Sequence, residues 1–579
     1  MSGPARLSEP TPAAEPSSTS TDVGMDDAAP ASERDLEVST PHGRRPDVVD
    51  LQRVASQSPL TTGVVLAVAS LALIALAIRL LVGMQEALDA DEATEGITAL
   101  RILHGHLVLM ESDGRYLGAL DSYLMAPFLA VLGPTLLGVR AAQAFLGALY
   151  VGLMFALGRR ALRSNQAGLV MAGIAVVFPL YAVTFGTKAR TYGLLLVLET
   201  LLLLLWIRLA WPSSRSRAPA WAVVGLLAGI ALWTHLLLAL PTVVGLAAVV
   251  ARGRANGWRP TWKGLAVAAL AGVIGFLPWL VYNLAISPLG SLRHLYSPAA
   301  AYTTSIPTAF RYLLSNGLPI FLGSQGDDCG VTAMPPAFAD LAVALLGLAV
   351  LWLRRRSLVS VVRGRFQELE PVDAVLAMAP LALLTVTVGF FNALYCEPRY
   401  LMPLAVPLVF AVGLVLLSTW PLRAACVALV TVWLVVEVMI ARNLMAPRTD
   451  IPVTSQAAAS PEIAAAAERV AAARPEAVWA QYWLARPIEF YAGDRFVMGE
   501  YGGYVGFPDT QIRSLNARHP SWLFAESDPQ VARFRAECQH RGIKYGVSRP
   551  GPGLVLFSGL SQPLTPADMQ LGGQRPDQV

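Results

Sequence analysis

The sequence predicts a polytopic α-helical membrane protein with a small soluble α/β domain at its C-terminal end. Three observations predict it. Hydrophobic residues make up 55% of the 579 residues and charged residues only 15%, whereas soluble domains carry about 25% charge. Eleven apolar runs approach or reach the length a spanning helix needs, about 20 residues. Beyond residue 444 the pattern changes to short apolar strands and helix-like stretches, punctuated by Gly, Pro and charged residues.

The elements follow in order. Residues 1–58 are rich in Ser, Pro, Ala and acidic residues and hold no apolar run that could serve as a signal segment. They bury too little apolar surface to offset ordering entropy, so a disordered cytoplasmic tail is expected. Arg44, Arg45 and Arg53 ahead of the first helix agree with that side. The membrane module is expected over 59–444, with spans at 63–83, 137–158, 166–185, 191–211, 221–235, 236–251, 263–283, 337–353, 374–392, 400–418 and 422–441. His235 and Pro241 divide 221–251 into two short helices. The stretch 116–132 is shorter and reads as interfacial or re-entrant. An α/β domain is expected over 445–564, with a helix at 461–473 and strands at 477–482, 522–525 and 554–557, and a disordered tail over 565–579.

Basic residues set the topology. The loops Arg159–Arg163, Arg208–Arg217, Arg252–Lys263 and Arg354–Arg365 are placed in the cytoplasm. The segment 84–115, the turn at Lys188 and Arg190, the region of His235, the loop 284–336 and the turn 392–399 then lie outside, together with the C-terminal domain. This is a multi-pass protein of the inner (plasma) membrane. The net charge of +4 is spread over short loops, which argues against nucleic acid. Cys329, Cys396, Cys426 and Cys538 have no zinc or redox spacing.

Three polar groups meet on the outer face. Asp89, Asp91, Glu92 and Glu95 follow the first span; Lys188, Arg190 and Tyr192 form a second group; Glu397, Arg399 and Tyr400 open a late helix. Ionisable residues gathered at a membrane edge usually serve function. A carboxylate can take the proton of an acceptor hydroxyl, and cations can stabilise a departing phosphate. The pattern therefore fits group transfer from a lipid phosphate to a hydroxyl. The plainer readings are a solvated carboxylate pair, snorkelling cations, a Glu397–Arg399 pair and belt tyrosines. His104, His106 and His235 read as structural. No metal ligand is assigned, and a divalent metal held by His and carboxylate stays open. The aromatic-rich loop 284–336 is expected to shape a substrate site.

At these residues the chain resembles a known family. Asp91-Glu92-Ala93, Gly96, His104-Gly105, Tyr116-Leu117-Gly118, Asp121, Tyr123, Ala126-Pro127-Phe128, Gly133 and Arg140 look like the first module of GT-C glycosyltransferases, and Arg399-Tyr400-Leu401-Met402-Pro403 looks like a late-helix motif of the same enzymes. The resemblance covers residues 60–440. It is to the dolichyl-phosphate-mannose-protein mannosyltransferase-like bacterial group, with aminoarabinose lipid A transferases as more distant relatives. It implies a GT-C-like bundle of about 11–13 helices that moves a sugar from a polyprenyl-phosphate sugar to an envelope lipid, glycan or protein, with inversion. It also implies Asp91 as general base, with Glu92 beside it and Asp121 as the second acidic residue; relatives often carry Glu at that last position. Lys188, Arg190, Tyr192, Glu397, Arg399, Tyr400 and Tyr116 are the expected substrate contacts. A lipid or oligosaccharide flippase, or a non-catalytic envelope assembly protein, are the alternatives. Neither the sugar nor the acceptor is specified by the sequence.

Overall fold

The computed structural model describes residues 59–571 apart from 112–115, 212–217, 256–261, 296–304, 326–334, 390–397, 445–459, 494 and 503–504. Glu397, Tyr395, Cys396 and Cys329, and residues 296–304 and 326–334 of the expected 284–336 loop, lie outside the described residues; between them the chain is helical from Ile306 to Leu322 rather than a loop.

Among the described residues eight helices are long and apolar enough to cross a membrane, and the pair Asn165–Val177 and Leu180–Thr187, bent by 77°, is either a ninth, broken span or a re-entrant loop. Leu120–Leu132, Ala218–Thr234 and Trp420–Val435 are shorter apolar helices. The protein is a multi-pass helical membrane protein. The first helix, α1 (Thr62–Gly83), exposes Leu66, Leu73 and Leu81, the arrangement expected where a side chain meets lipid rather than protein.

Two devices lock the bundle. Helices Ala218–Thr234 and Trp262–Gly275 meet backbone to backbone: a Cβ at Gly225 would strike the Ala268 carbonyl, and one at Gly229 the Gly272 carbonyl. Lipid offers no hydrophobic drive for helix pairing, so close approach through small residues supplies it. The second device is Arg79, 1% exposed inside α1. It donates to the carbonyls of Val176 (3.3 Å) and Ala175 (3.4 Å), where the Asn165–Val177 helix ends. A cation there satisfies orphan carbonyls and the helix dipole together. Gly147, on the helix α4 (Leu136–Leu162), gives the guanidinium stem its room.

The segment after α1 departs from the expected loop. It contains a helix, α2 (Ala90–Leu103), followed by α3 (Leu120–Leu132) ahead of α4. Asp89 and Glu92 form a reciprocal capping box that starts α2. The helix then buries Ala93, Gly96, Ile97 and Ala99. Its charged residues suggest a solvated loop in sequence, but Glu92 and Glu95 are buried.

The C-terminal domain is a five-stranded mixed sheet, β1 (Ala477–Gln481), β2 (Val497–Tyr501), β3 (Ser521–Ala525), β4 (Gly546–Ser548) and β5 (Leu554–Ser558), in the order β2-β1-β3-β5-β4. β1 pairs in parallel with β2 and β3, and β5 pairs antiparallel with β3 and β4. The expected strands at 477–482, 522–525 and 554–557 are present; β2 and β4 are additional. The Tyr482–Ala492 helix lies on α2 in one shared apolar cluster of Ile97, Leu484, Ile488 and Phe490. Gly96 makes the contact close, since a Cβ there would stand 2.6 Å from the Phe490 ring. Arg101 closes the edge with a two-point bond to Asp509 (3.1 and 3.2 Å) and lies 4.0 Å over the Phe507 ring.

Gly229→Leu should therefore separate the Ala218–Thr234 and Trp262–Gly275 helices. Overpacking of this kind costs about 1–3 kcal/mol. Thermal unfolding of the purified protein in detergent should show a lowered midpoint, whereas Gly347→Leu, where a Cβ meets open space, should leave it unchanged.

Candidate active site

The capping box fixes three carboxylates within one turn of α2 and sends each to a different partner. Asp89 Oδ1 accepts the Glu92 amide at 2.9 Å, and Asp89 Oδ2 lies 2.6 Å from Arg190 Nη2. Asp91 Oδ2 lies 3.1 Å from the same Arg190 Nη2, and its Oδ1 accepts the Tyr482 hydroxyl at 3.0 Å. Glu92 is fully buried and paired through both oxygens with Arg140 of α4, and it accepts the Ala189 amide at 2.9 Å.

Arg140 is the hub of this region. Its Nε donates to the Gly83 carbonyl (3.0 Å) and its Nη1 to the Thr187 carbonyl (2.9 Å). One side chain thus ties α4 to the end of α1, the start of α2 and the cationic turn 187–191. Glu86 joins the same turn through Lys188 at 3.1 Å. Burial pushes the Glu86 carboxyl up, but Lys188 and Arg140 outweigh it and hold the group below its ordinary value. Asp89 is likewise pushed up by burial and brought below its ordinary value by Arg190 and Lys188.

A second carboxylate pins the turn from behind. Asp121 Oδ2 accepts from Gln143 Nε2 (2.9 Å) and from the Thr191 amide (3.3 Å). Thr191 has φ +65°, a left-handed conformation that a β-branched residue rarely adopts, and the flanking bonds hold it there. Its hydroxyl lies 3.4 Å from Glu95 Oε1. Glu95, Glu111 and Asp121 are all buried, with Ser122 Oγ 2.7 Å from Glu111 Oε1 and 3.1 Å from the Glu95 carbonyl. Burial, and then the neighbouring Asp121 and Glu111 carboxylates, push Glu95 well above its ordinary value.

An aromatic group adjoins this charged one. Tyr192, His235, Tyr400 and Tyr116 stand with ring centroids 5.4–6.4 Å apart, and the hydroxyls of Tyr116 and Tyr400 are 3.2 Å apart. Arg399 lies 5.5 Å over the Tyr400 ring. His235 Nδ1 accepts the Leu237 amide at 3.1 Å, which assigns the ring proton to Nε2. Phe185 joins the two groups, with its ring 5.5 Å from Lys188 Nζ, 5.7 Å from the Arg190 guanidinium and 5.4 Å from the Tyr192 ring. Among the described residues no group of three or more His, Cys, Asp or Glu side chains is placed to hold a metal ion.

Solved structures share this architecture. ArnT from Cupriavidus metallidurans bound to undecaprenyl phosphate superposes with a TM-score of 0.59 at 13% identity, covering 86% of this chain and 98% of that one. The chain has the fold of ArnT. The apo state of the same ArnT gives 0.50 at 15% identity, over 89% of this chain and 99% of the other. In sequence, the undecaprenyl phosphate-alpha-4-amino-4-deoxy-L-arabinose arabinosyl transferase of Pseudomonas aeruginosa (strain UCBPP-PA14) is 32% identical over 156 residues, 26% of this chain and 27% of the relative. The enzyme of that name from Pseudomonas paraeruginosa (strain DSM 24068 / PA7) is 31% identical over the same length. The match thus spans about a quarter of these relatives. No family model matches the chain.

Within the ArnT fold the expected residues fall into two groups. Asp91, Arg190 and Lys188 meet at the start of α2, with Glu92 and Asp121 directly behind them; Tyr116, Tyr192, Arg399 and Tyr400 meet around His235. Tyr192, read from sequence as a belt aromatic, is 2% exposed and belongs to the interior. Two participants carry no mark in the sequence: Phe185 sits in an apolar run, and Tyr482 arrives from 391 residues away. Glu95, expected with Asp89, Asp91 and Glu92 in the acidic group of the outer face, is buried. Arg140 carried a usable signal, a lone cation inside an apolar run.

Two outcomes follow. Arg140→Met leaves Glu92 buried without its partner and should cost about 3–5 kcal/mol, read as a large drop in unfolding midpoint. Glu95, raised above its ordinary 4.5, contributes stability that is complete below that value and is lost as pH rises through its folded-state value. Glu95→Gln should keep the fold and flatten the fall in stability as pH rises above the ordinary carboxylate value, measured by unfolding midpoints across a pH series.

Proposed function

We propose that this protein is a membrane glycosyltransferase that moves a sugar from a polyprenyl-phosphate sugar to a hydroxyl of a cell-envelope lipid, glycan or protein, with inversion, on the non-cytoplasmic face. The ArnT fold supports it, since one of the matching structures holds undecaprenyl phosphate. The 156-residue match to arabinosyl transferases makes an undecaprenyl-phosphate pentose the first donor to try. The basic loops on the opposite side support the sidedness.

The observation that carries the reading is the unequal exposure of three neighbouring carboxylates. The side chain of Asp91 is 23% exposed, that of Asp89 15% and that of Glu92 0%. Asp91 is held on both oxygens and still open to an incoming hydroxyl, which suits a general base. Glu92 and Asp121 accept backbone amides of the 188–191 turn, which suits positioning the cations rather than touching substrate.

The reaction is a single displacement. The acceptor oxygen attacks the anomeric carbon as Asp91 takes its proton. The bond from that carbon to the phosphate oxygen breaks, and the electron pair leaves with the polyprenyl phosphate. Arg399, with the Tyr116 and Tyr400 hydroxyls beside it, stabilises the phosphate as its charge develops. Arg190 and Lys188 balance the acidic turn, so that Asp91 is presented in a nearly neutral surround.

Purified protein should transfer label from one member of a panel of radiolabelled polyprenyl-phosphate sugars to envelope extract. Asp91→Asn should lower the rate by roughly 10²–10⁴-fold without changing the unfolding midpoint by more than a few degrees. Arg399→Ala should raise the donor KM roughly tenfold or more, the worth of a lost charge-assisted hydrogen bond. Undiminished transfer by Asp91→Asn would rule the assignment out.

A further inference from the structure

The C-terminal domain does more than sit beside the membrane module. β1, at the centre of the parallel part of its sheet, ends at Gln481, whose side chain caps the next helix by accepting the Trp483 amide at 2.7 Å. That cap fixes the first helical residue, Tyr482, 5% exposed. Its ring packs edge-on against Trp483 at 5.4 Å, and its hydroxyl donates to Asp91 Oδ1 at 3.0 Å. Phe490 of the same helix against Gly96, and Asp509 of the Pro508–Leu515 helix against Arg101, dock the domain on α2 and set the distance.

We propose that Tyr482 is a positioning residue for Asp91, so that the soluble domain completes the catalytic centre of the membrane module. The role rests on the glycosyltransferase reading above. Arg190 alone grips Asp91 through Oδ2 and leaves the carboxylate able to rotate about its last torsion. The phenol holds the second oxygen and fixes the plane in which the remaining lone pairs meet an acceptor hydroxyl. Orientation of this kind acts on the chemical step and not on donor affinity.

The test uses the full-length protein in lipid nanodiscs, with undecaprenyl-phosphate aminoarabinose and the other donors of the panel. Tyr482→Phe keeps the ring and its packing and removes only the hydroxyl. It should lower kcat about 10- to 100-fold, the range of one hydrogen bond to a charged group, with donor KM within about twofold and the unfolding midpoint unchanged. Asp509→Asn loosens the same interface without touching Asp91 and should leave kcat within about twofold. Wild-type kcat in Tyr482→Phe would overturn the positioning role alone. An equal loss in Asp509→Asn would overturn it too, by showing that docking and not the hydroxyl matters. Wild-type protein that turns over no donor would remove the glycosyltransferase reading and this role with it.

Discussion

The buried pair of Glu92 and Arg140 is the contact on which the site depends. Neither side chain reaches solvent, and a buried charge is tolerated only when its bonds are satisfied. Here the bonds come from the elements around the charged side of the site: the end of α1, the first turn of α2, the Thr187 carbonyl and the Ala189 amide. An apolar contact would bring the same helices together but would not fix their register. The ion pair does, because its hydrogen bonds have direction as well as strength.

The rest of the site is arranged by a division of labour among carboxylates. Glu92 and Asp121 hold the 188–191 turn by its backbone, leaving Lys188 and Arg190 to meet Glu86, Asp89 and Asp91 with their side chains. The strained Thr191 between them is the local cost of that turn. Its neighbour Tyr192 begins the aromatic group, so one short stretch of chain joins the charged side of the site to the side lined by Tyr116, His235 and Tyr400. The soluble domain closes the arrangement over α2, where a glycine lets an aromatic ring approach the helix backbone.

Much of this was legible in the sequence, and the reason differs from part to part. The spans announce themselves by length and hydropathy, because lipid imposes a nearly uniform requirement on every helix that crosses it. The Asp91-Glu92 pair and the Lys188–Arg190 turn stand out because charge at a membrane edge is unusual. Their separate roles did not stand out: Asp91 and Glu92 are adjacent and chemically alike, and only the partners that α4 and the soluble domain bring decide which is buried. The charge density of residues 84–115 suggests a loop, because it resembles solvation when the partners are out of view, whereas α2 forms there. Tyr482 carries no mark at all, since its contact with Asp91 arises from the docking of two domains far apart in the chain. Glu397 was assigned from sequence and lies outside the described residues.

A single displacement with Asp91 as base inverts the anomeric carbon, so the anomeric configuration of the product reports on the reaction itself. The transferred sugar would be isolated from a reaction of the purified protein and its configuration read by NMR coupling constants against that of the donor. The product should carry the inverted configuration. Retention would exclude a single back-side displacement and with it the role of Asp91 as the base that drives one.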